Sequence, residues 1–167
     1  MSAVLFLDVD GVLNNEAVFR DRRFGPFPID HQCVERVHTV VRETGCEIVL
    51  SSSWRGMEKL ESKLVGDGVF SVYRDIPGRQ FGEFAFVRHQ DGQTKRLEGR
   101  RGPEIAEWLS RHPEVDRYAI LDDESDMLPE QMPHFVKTEF QGGIMDEHVP
   151  LLAAALARSL SEDKADG

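Results

Sequence analysis

The sequence predicts an α/β fold built on a central parallel sheet, and three observations carry that prediction. An apolar run from Ala3 to Leu7 stops abruptly at Asp8-Val9-Asp10-Gly11. A second run, Cys46 to Leu50, follows one amphipathic helical stretch, and a third, Arg117 to Leu121, ends in Asp122-Asp123-Glu124. Short runs rich in apolar, β-branched and aromatic residues, closed by turn residues, are the pattern of strands buried on both faces, which is how parallel sheets are made.

The first run sets the frame. Side chains alternate along an extended chain, so Asp8 and Asp10 leave the strand on one side and Val9 on the other. Two ionised carboxylates about 4 Å apart repel by roughly 4 kcal/mol at an effective dielectric near 20, so such a pair needs a cation, a proton or a function. Gly11 lets the chain turn sharply and exposes bare backbone. A calcium loop is the competing explanation, but Val12 and Leu13 stand where such a loop places oxygen ligands.

Residues 14–30 carry Arg20, Arg22, Arg23 and two prolines and are expected to form an irregular insertion, of a length that is usually functional or mobile. Asp30 is a natural N-cap for a helix over 31–44, whose Val34, Val37, Val40 and Val41 share one face and whose end is marked by Gly45. The strand at 46–50 then completes β-α-β and runs into Ser51-Ser52-Ser53-Trp54-Arg55. Apolar spacing predicts a helix over 56–65, and 66–99 is open between a small accessory β element (a strand at 69–73, aromatics at 81, 84 and 86), a lid and plain core. His89 lacks a partner in sequence and reads as a surface residue. Lys95, Arg100 and Arg101 lead into a helix over 103–110. Cations before a helix start oppose its dipole, so they point to something anionic nearby. A strand at 135–138 and a closing helix over 149–160 finish the domain, taken as 1–161 with a frayed tail at 162–167.

Composition bounds the function. A chain of 167 residues suits one domain with a single core, and a formal charge of −10 disfavours non-specific binding of polyanions except where basic residues cluster. Cys33 and Cys46 have neither metal-ligand spacing nor a disulfide framework, so no disulfide-linked partner is expected. No apolar run approaches a membrane span and no signal-peptide pattern opens the chain. The expectation is a cytoplasmic protein without membrane partners.

Asp8-Val9-Asp10-Gly11-Val12-Leu13 resembles the first motif of the haloacid dehalogenase-like (HAD) superfamily, DxDG[TV][LV], at the end of an N-terminal strand. The serines after the second strand resemble the second motif, with Ser52 the best match and Ser51 next. Arg101, ahead of Arg100 and Lys95, matches the basic third motif, and Asp122-Asp123 the acidic fourth. The resemblance implies a Rossmann-like three-layer sandwich with only small cap or flap insertions, and a phosphatase rather than a dehalogenase because the residue two after Asp8 is acidic. It further implies Asp8 as nucleophile, Asp10 as acid/base, and a Mg2+ ion held by Asp8, the Asp10 carbonyl, Asp122 and Asp123. Ser51, Ser53, Arg55, Arg100, Lys95, Arg22 and Arg23 are the remaining candidates for binding substrate. Arg55 is placed to reach either a phosphate or an acid. Short insertions imply an open site for a phosphorylated small molecule or a nucleic-acid end such as a 3′-phosphate, since the motif wording is similar to HAD domains linked to nucleic-acid repair. Two rivals are a receiver-like signalling domain, which would carry its phosphoacceptor where Ser51 to Ser53 stand, and a catalytically idle binding module on the same fold, which usually lacks one motif acid.

Overall fold

The computed structural model describes residues 2–25, 28–55 and 88–165. The expected helix at 56–65, the strand at 69–73 and the aromatic patch at 81–87 lie outside the described residues.

Five parallel strands form the sheet: β1 (Ser2–Leu7), β2 (Glu47–Leu50), β3 (Arg88–Gln93), β4 (Val115–Asp122) and β5 (Phe135–Lys137), in spatial order β3-β2-β1-β4-β5. The helices are α1 (Glu16–Arg20), α2 (His31–Thr44), α3 (Arg101–Ser110), α4 (His148–Ala157) and α5 (Leu160–Ala165), with 3-10 turns at Arg22–Phe24 and Pro129–His134. No helix among the described residues is long and apolar enough to cross a membrane.

The period of two along each strand divides the core into two layers. Leu5 and Leu7 of β1, Ile48 and Leu50 of β2, and Ala119 and Leu121 of β4 cluster with Val34, Val37 and Val41 of α2 and Leu152 of α4. The intervening residues Val4, Phe6, Val49, Tyr118 and Ile120 cluster with Ile105 and Trp108 of α3. Helices therefore cover both faces, giving the three-layer α/β sandwich. Phe6 meets Trp108 edge to face at 5.2 Å between centroids, a pairing worth roughly 0.5–1.5 kcal/mol beyond its buried area.

Local signals end the elements where the sequence places them. The Asp30 carboxylate accepts from Gln32 N at 2.9 Å at the start of α2, and Gly45 closes that helix in the left-handed region with its N–H on Val41 O. Other elements differ from expectation. The insertion after β1 contains a short helix, α1, because the Asn15 side chain caps it by accepting from Val18 N. β3 has the polar sequence Arg-His-Gln-Asp-Gly-Gln and, among the described residues, is the end strand, paired to β2, so its order comes from pairing and not from an apolar pattern. His89 is not a surface residue but half-buried, edge-on to Trp108 at 4.9 Å, with Nδ1 accepting from Asp91 N. The closing helix stops at Ala157, and residues 160–165 form α5, where Asp163 bonds both His134 and Arg158.

Candidate active site

Register brings the strand tips level. Leu7 lies opposite Leu50 on one side and Leu121 on the other, so Asp8, Ser51 and Asp122 are the next residues in line at the C-terminal edge. The pairing continues past the strands: Ser51 N donates to Leu7 O at 2.9 Å, Asp8 N to Leu121 O at 3.1 Å, Thr94 N to Leu50 O at 3.0 Å and Thr138 N to Asp122 O at 3.0 Å. In an open parallel sheet this edge is where ligands bind.

The turn after β1 is fastened from several sides. Val12 N and Leu13 N both donate to Val9 O, and Gly11 sits at φ +75. Buried Asn14 accepts from Gly11 N at 2.8 Å and donates to Asp10 Oδ1 at 2.9 Å and Pro28 O at 3.0 Å, so one amide holds both the turn and the second acid. The Thr138 hydroxyl, from beyond β5, donates to Gly11 O at 2.6 Å. A side chain at position 11 would place its Cβ 2.2 Å from Asp123 Oδ2, so the tip of β4 fills the space glycine leaves.

Asp8, Asp122 and Asp123 each offer a carboxylate oxygen, all within 4.8 Å of one another. Burial, and then the neighbouring Asp122 charge, hold the Asp8 carboxyl well above its ordinary range, against the opposing pull of Arg101. Burial likewise pushes Asp122 up to about 6, although it accepts from Glu124 N at 2.9 Å and lies beside Arg101. Such an array carries more negative charge than its neighbours balance, and an all-oxygen donor set fits a hard divalent cation of the magnesium type.

One cation is built in. Arg101 Nε donates to Asp122 Oδ2 at 3.1 Å, and Nη2 stands 4.0 Å from Asp8 Oδ1. The loop after β4 fixes its position: Arg101 N donates to Asp126 Oδ2 at 2.8 Å and Gly102 N to Asp126 O at 3.2 Å, which satisfies the first free amides of α3. Any Cβ on Gly102 would come within 2.7 Å of Leu128 N, so that close approach requires glycine. Of the other basic candidates before the helix, Arg100 is exposed without a side-chain capping bond, and Lys95 lies 3.7 Å from Glu107.

Arg55 reaches an acid. Its Nη1 donates to Glu104 Oε2 at 2.5 Å and to Thr94 Oγ1 at 2.6 Å, and its Nε to Ser52 O at 2.7 Å. The side chains of Arg55 and Glu104 are only 7% and 2% exposed, so this is a fully desolvated pair tying the loop after β2 to α3. Glu104 also lies 3.8 Å from Arg101 Nη1 and thus faces both arginines. Ser52 is buried and its Oγ accepts from Trp54 N at 3.2 Å, while the Ser51 hydroxyl meets Thr94 Oγ1 at 3.2 Å. Ser53 is exposed. Arg22 and Arg23 lie on the exposed 3-10 turn after α1, with Arg23 held by Asp21 at 2.6 Å. Asn14, Thr94, Glu104 and Thr138 were not singled out from sequence. Only the Asn14-Asn15 pair, directly after the acidic motif, carried a local signal of turn chemistry.

A parallel sheet flanked by helices on both faces, with acids on two adjacent strand tips and an arginine beside them, is the frame of a HAD-type domain. Residues 4–149 match the family described as the HAD domain in Swiss Army Knife RNA repair proteins, and the chain belongs to that family. That membership sets it among the HAD-fold hydrolases. No curated protein and no solved structure matches the chain.

Proposed function

We propose that the chain hydrolyses phosphate monoesters in a Mg2+-dependent reaction through an aspartyl-phosphate, acting on a phosphorylated nucleic-acid end, such as a 3′-phosphate, or on a nucleotide. The observation that carries this reading is the juxtaposition of three convergent carboxylates with Arg101, whose Nη2 stands 4.0 Å from Asp8 Oδ1. A phosphoryl oxygen is the acceptor that a guanidinium beside such acids suits, because its forked N–H groups match that geometry. The family description supports the nucleic-acid class of substrate.

Asp8 attacks phosphorus, the P–O ester bond breaks, and Asp10 gives its proton to the leaving alkoxide. Water then attacks the acyl phosphate, Asp10 takes a proton from that water, and inorganic phosphate leaves as the Asp8 carboxylate is restored. Arg101 and Ser52 hold the non-bridging oxygens as charge develops on them. Asn14 restrains the Asp10 carboxylate through its 2.9 Å bond. Asp8, Asp122, Asp123 and the Asp10 carbonyl would hold Mg2+, which, when bound, supplies charge neutralisation and polarises the phosphoryl group. Asp8→Asn is the test. Phosphate release from a 3′-phosphorylated oligonucleotide falls below detection while circular dichroism and melting stay those of a folded domain. Turnover retained in this variant removes Asp8 as nucleophile.

A further inference from the structure

Six large apolar side chains are exposed among the described residues, and the two aromatic ones touch each other: Phe19, 44% exposed, and Phe140, 40% exposed, with ring centroids 5.5 Å apart. Neither belongs to a core cluster. They come from distant segments, α1 and the loop after β5, which are bonded together: Glu16 N donates to Phe140 O at 3.0 Å, and Asn15 Nδ2 to Gly142 O at 3.4 Å. Both segments border the phosphoryl-handling edge. Phe140 follows two residues after Thr138, whose hydroxyl holds the Gly11 carbonyl next to Asp10. Two residues of extended chain reach at most about 7 Å. Arg20, Arg22 and Arg23 come directly after Phe19, giving this rim a local positive charge on a chain of net −10. Arg20 and Arg23 pair with Glu16 and Asp21, but exposed pairs of this kind hold little energy and yield readily to another anion.

We infer that Phe19 and Phe140 form a stacking platform for a nucleobase of an RNA end whose phosphate lies in the Asp8 pocket. Size suits a small occupant better than a protein face. At these exposures the two rings offer on the order of 150–200 Å² together, whereas a stable protein interface needs about 800 Å² from each side. A single heterocycle matches that area, and stacking on aromatic side chains beside cations is how single-stranded ends are held without sequence readout. The inference rests on the phosphoester reading for the location of the phosphate, but it is tested separately.

The probe is a short 5′-fluorescein RNA with a 3′-phosphate, compared with the same strand made abasic at its last two positions, so that charge and length are unchanged. Fluorescence anisotropy on the full chain carrying Asp8→Asn reads binding without turnover. The base-bearing strand binds more tightly, and Phe19→Ala with Phe140→Ala reduces that preference by roughly 5- to 150-fold, the range of one stacked base. Phe19→Leu with Phe140→Leu, which keeps apolar bulk but removes the ring faces, lowers the same ratio and controls for local unfolding. Equal affinity for the two strands, an equal loss for both in the alanine variant, or a phosphotyrosine peptide that binds as tightly as the RNA overturns the platform. Base-dependent binding together with no phosphate release by the wild-type chain from either strand in Mg2+ would instead remove the hydrolase reading and leave the platform standing.

Discussion

Asp122 stores unfavourable charge in the cation-free protein, and the amount can be worked out. Its carboxyl is raised from 3.8 to about 6. At about 1.36 kcal/mol per decade, ionising it in the folded state costs roughly 3 kcal/mol more than in the unfolded chain. A raised acid stabilises the fold fully below the unfolded value and loses that contribution as pH rises through the folded one. The penalty therefore develops between about pH 4 and pH 7, and Asp8, displaced in the same direction, adds to it. Asp122→Asn cannot acquire the charge. Its amide must turn NH2 toward either Glu124 N–H or Arg101 Nε–H, the donors that now serve the two oxygens, but that cost does not change with pH. The quantity to measure is thus the wild-type-minus-variant difference in unfolding free energy, from urea titrations in EDTA at a series of pH values. It should move by about 3 kcal/mol in favour of the variant from pH 4 to pH 8, or roughly 6–12 °C in melting temperature for a chain of this size. Saturating Mg2+ should remove most of that slope in the wild type and little in the variant. A difference that stays flat with pH, or that runs the other way, refutes the account of a charge-deficient acid cluster.

Two further perturbations probe the scaffold around the acids. Glu104→Gln leaves the buried Arg55 and the adjacent Arg101 without their shared carboxylate, so thermal unfolding should show a loss of roughly 3–5 kcal/mol, whereas a melting point within about 2 °C of wild type would mean the pair contributes nothing. Gly11→Ala forces a side chain into the left-handed region and onto Asp123 Oδ2, with an expected cost of roughly 1–3 kcal/mol in urea unfolding and a weakened Mg2+-induced rise in melting temperature; an unaltered Mg2+ response would show that Asp123 is not needed there.

What could be read from sequence was what is locally encoded. The β1 and β4 tips are visible because apolar runs, acids and glycine are contiguous, and α2 because its cap, its valine face and Gly45 lie within one stretch. β3 was hidden because Arg-His-Gln-Asp-Gly-Gln has no apolar alternation, and its order comes from lying beside β2. Glu104 reads as an ordinary helical glutamate, since nothing near it in sequence says that Arg55, 49 residues earlier, will be buried against it. Thr138 is more remote still, acting on a carbonyl 127 positions away. The chemical groups are announced by their neighbours in sequence, while the groups that hold them in place are defined only by the folded topology.

That separation has a consequence for how the pocket comes into being. The acids at positions 8 and 10 are synthesised long before the residues that hold the loop bearing them, Thr138 on Gly11 O and Ile144 N on Val12 O at 2.9 Å. A nascent chain released only as far as Asp123 would already own every acid of the cluster and still lack the clasp on the loop that bears the first two. The clasp closes only when residues near 144 emerge, so an incomplete polypeptide carries the acids without the two bonds that hold their loop.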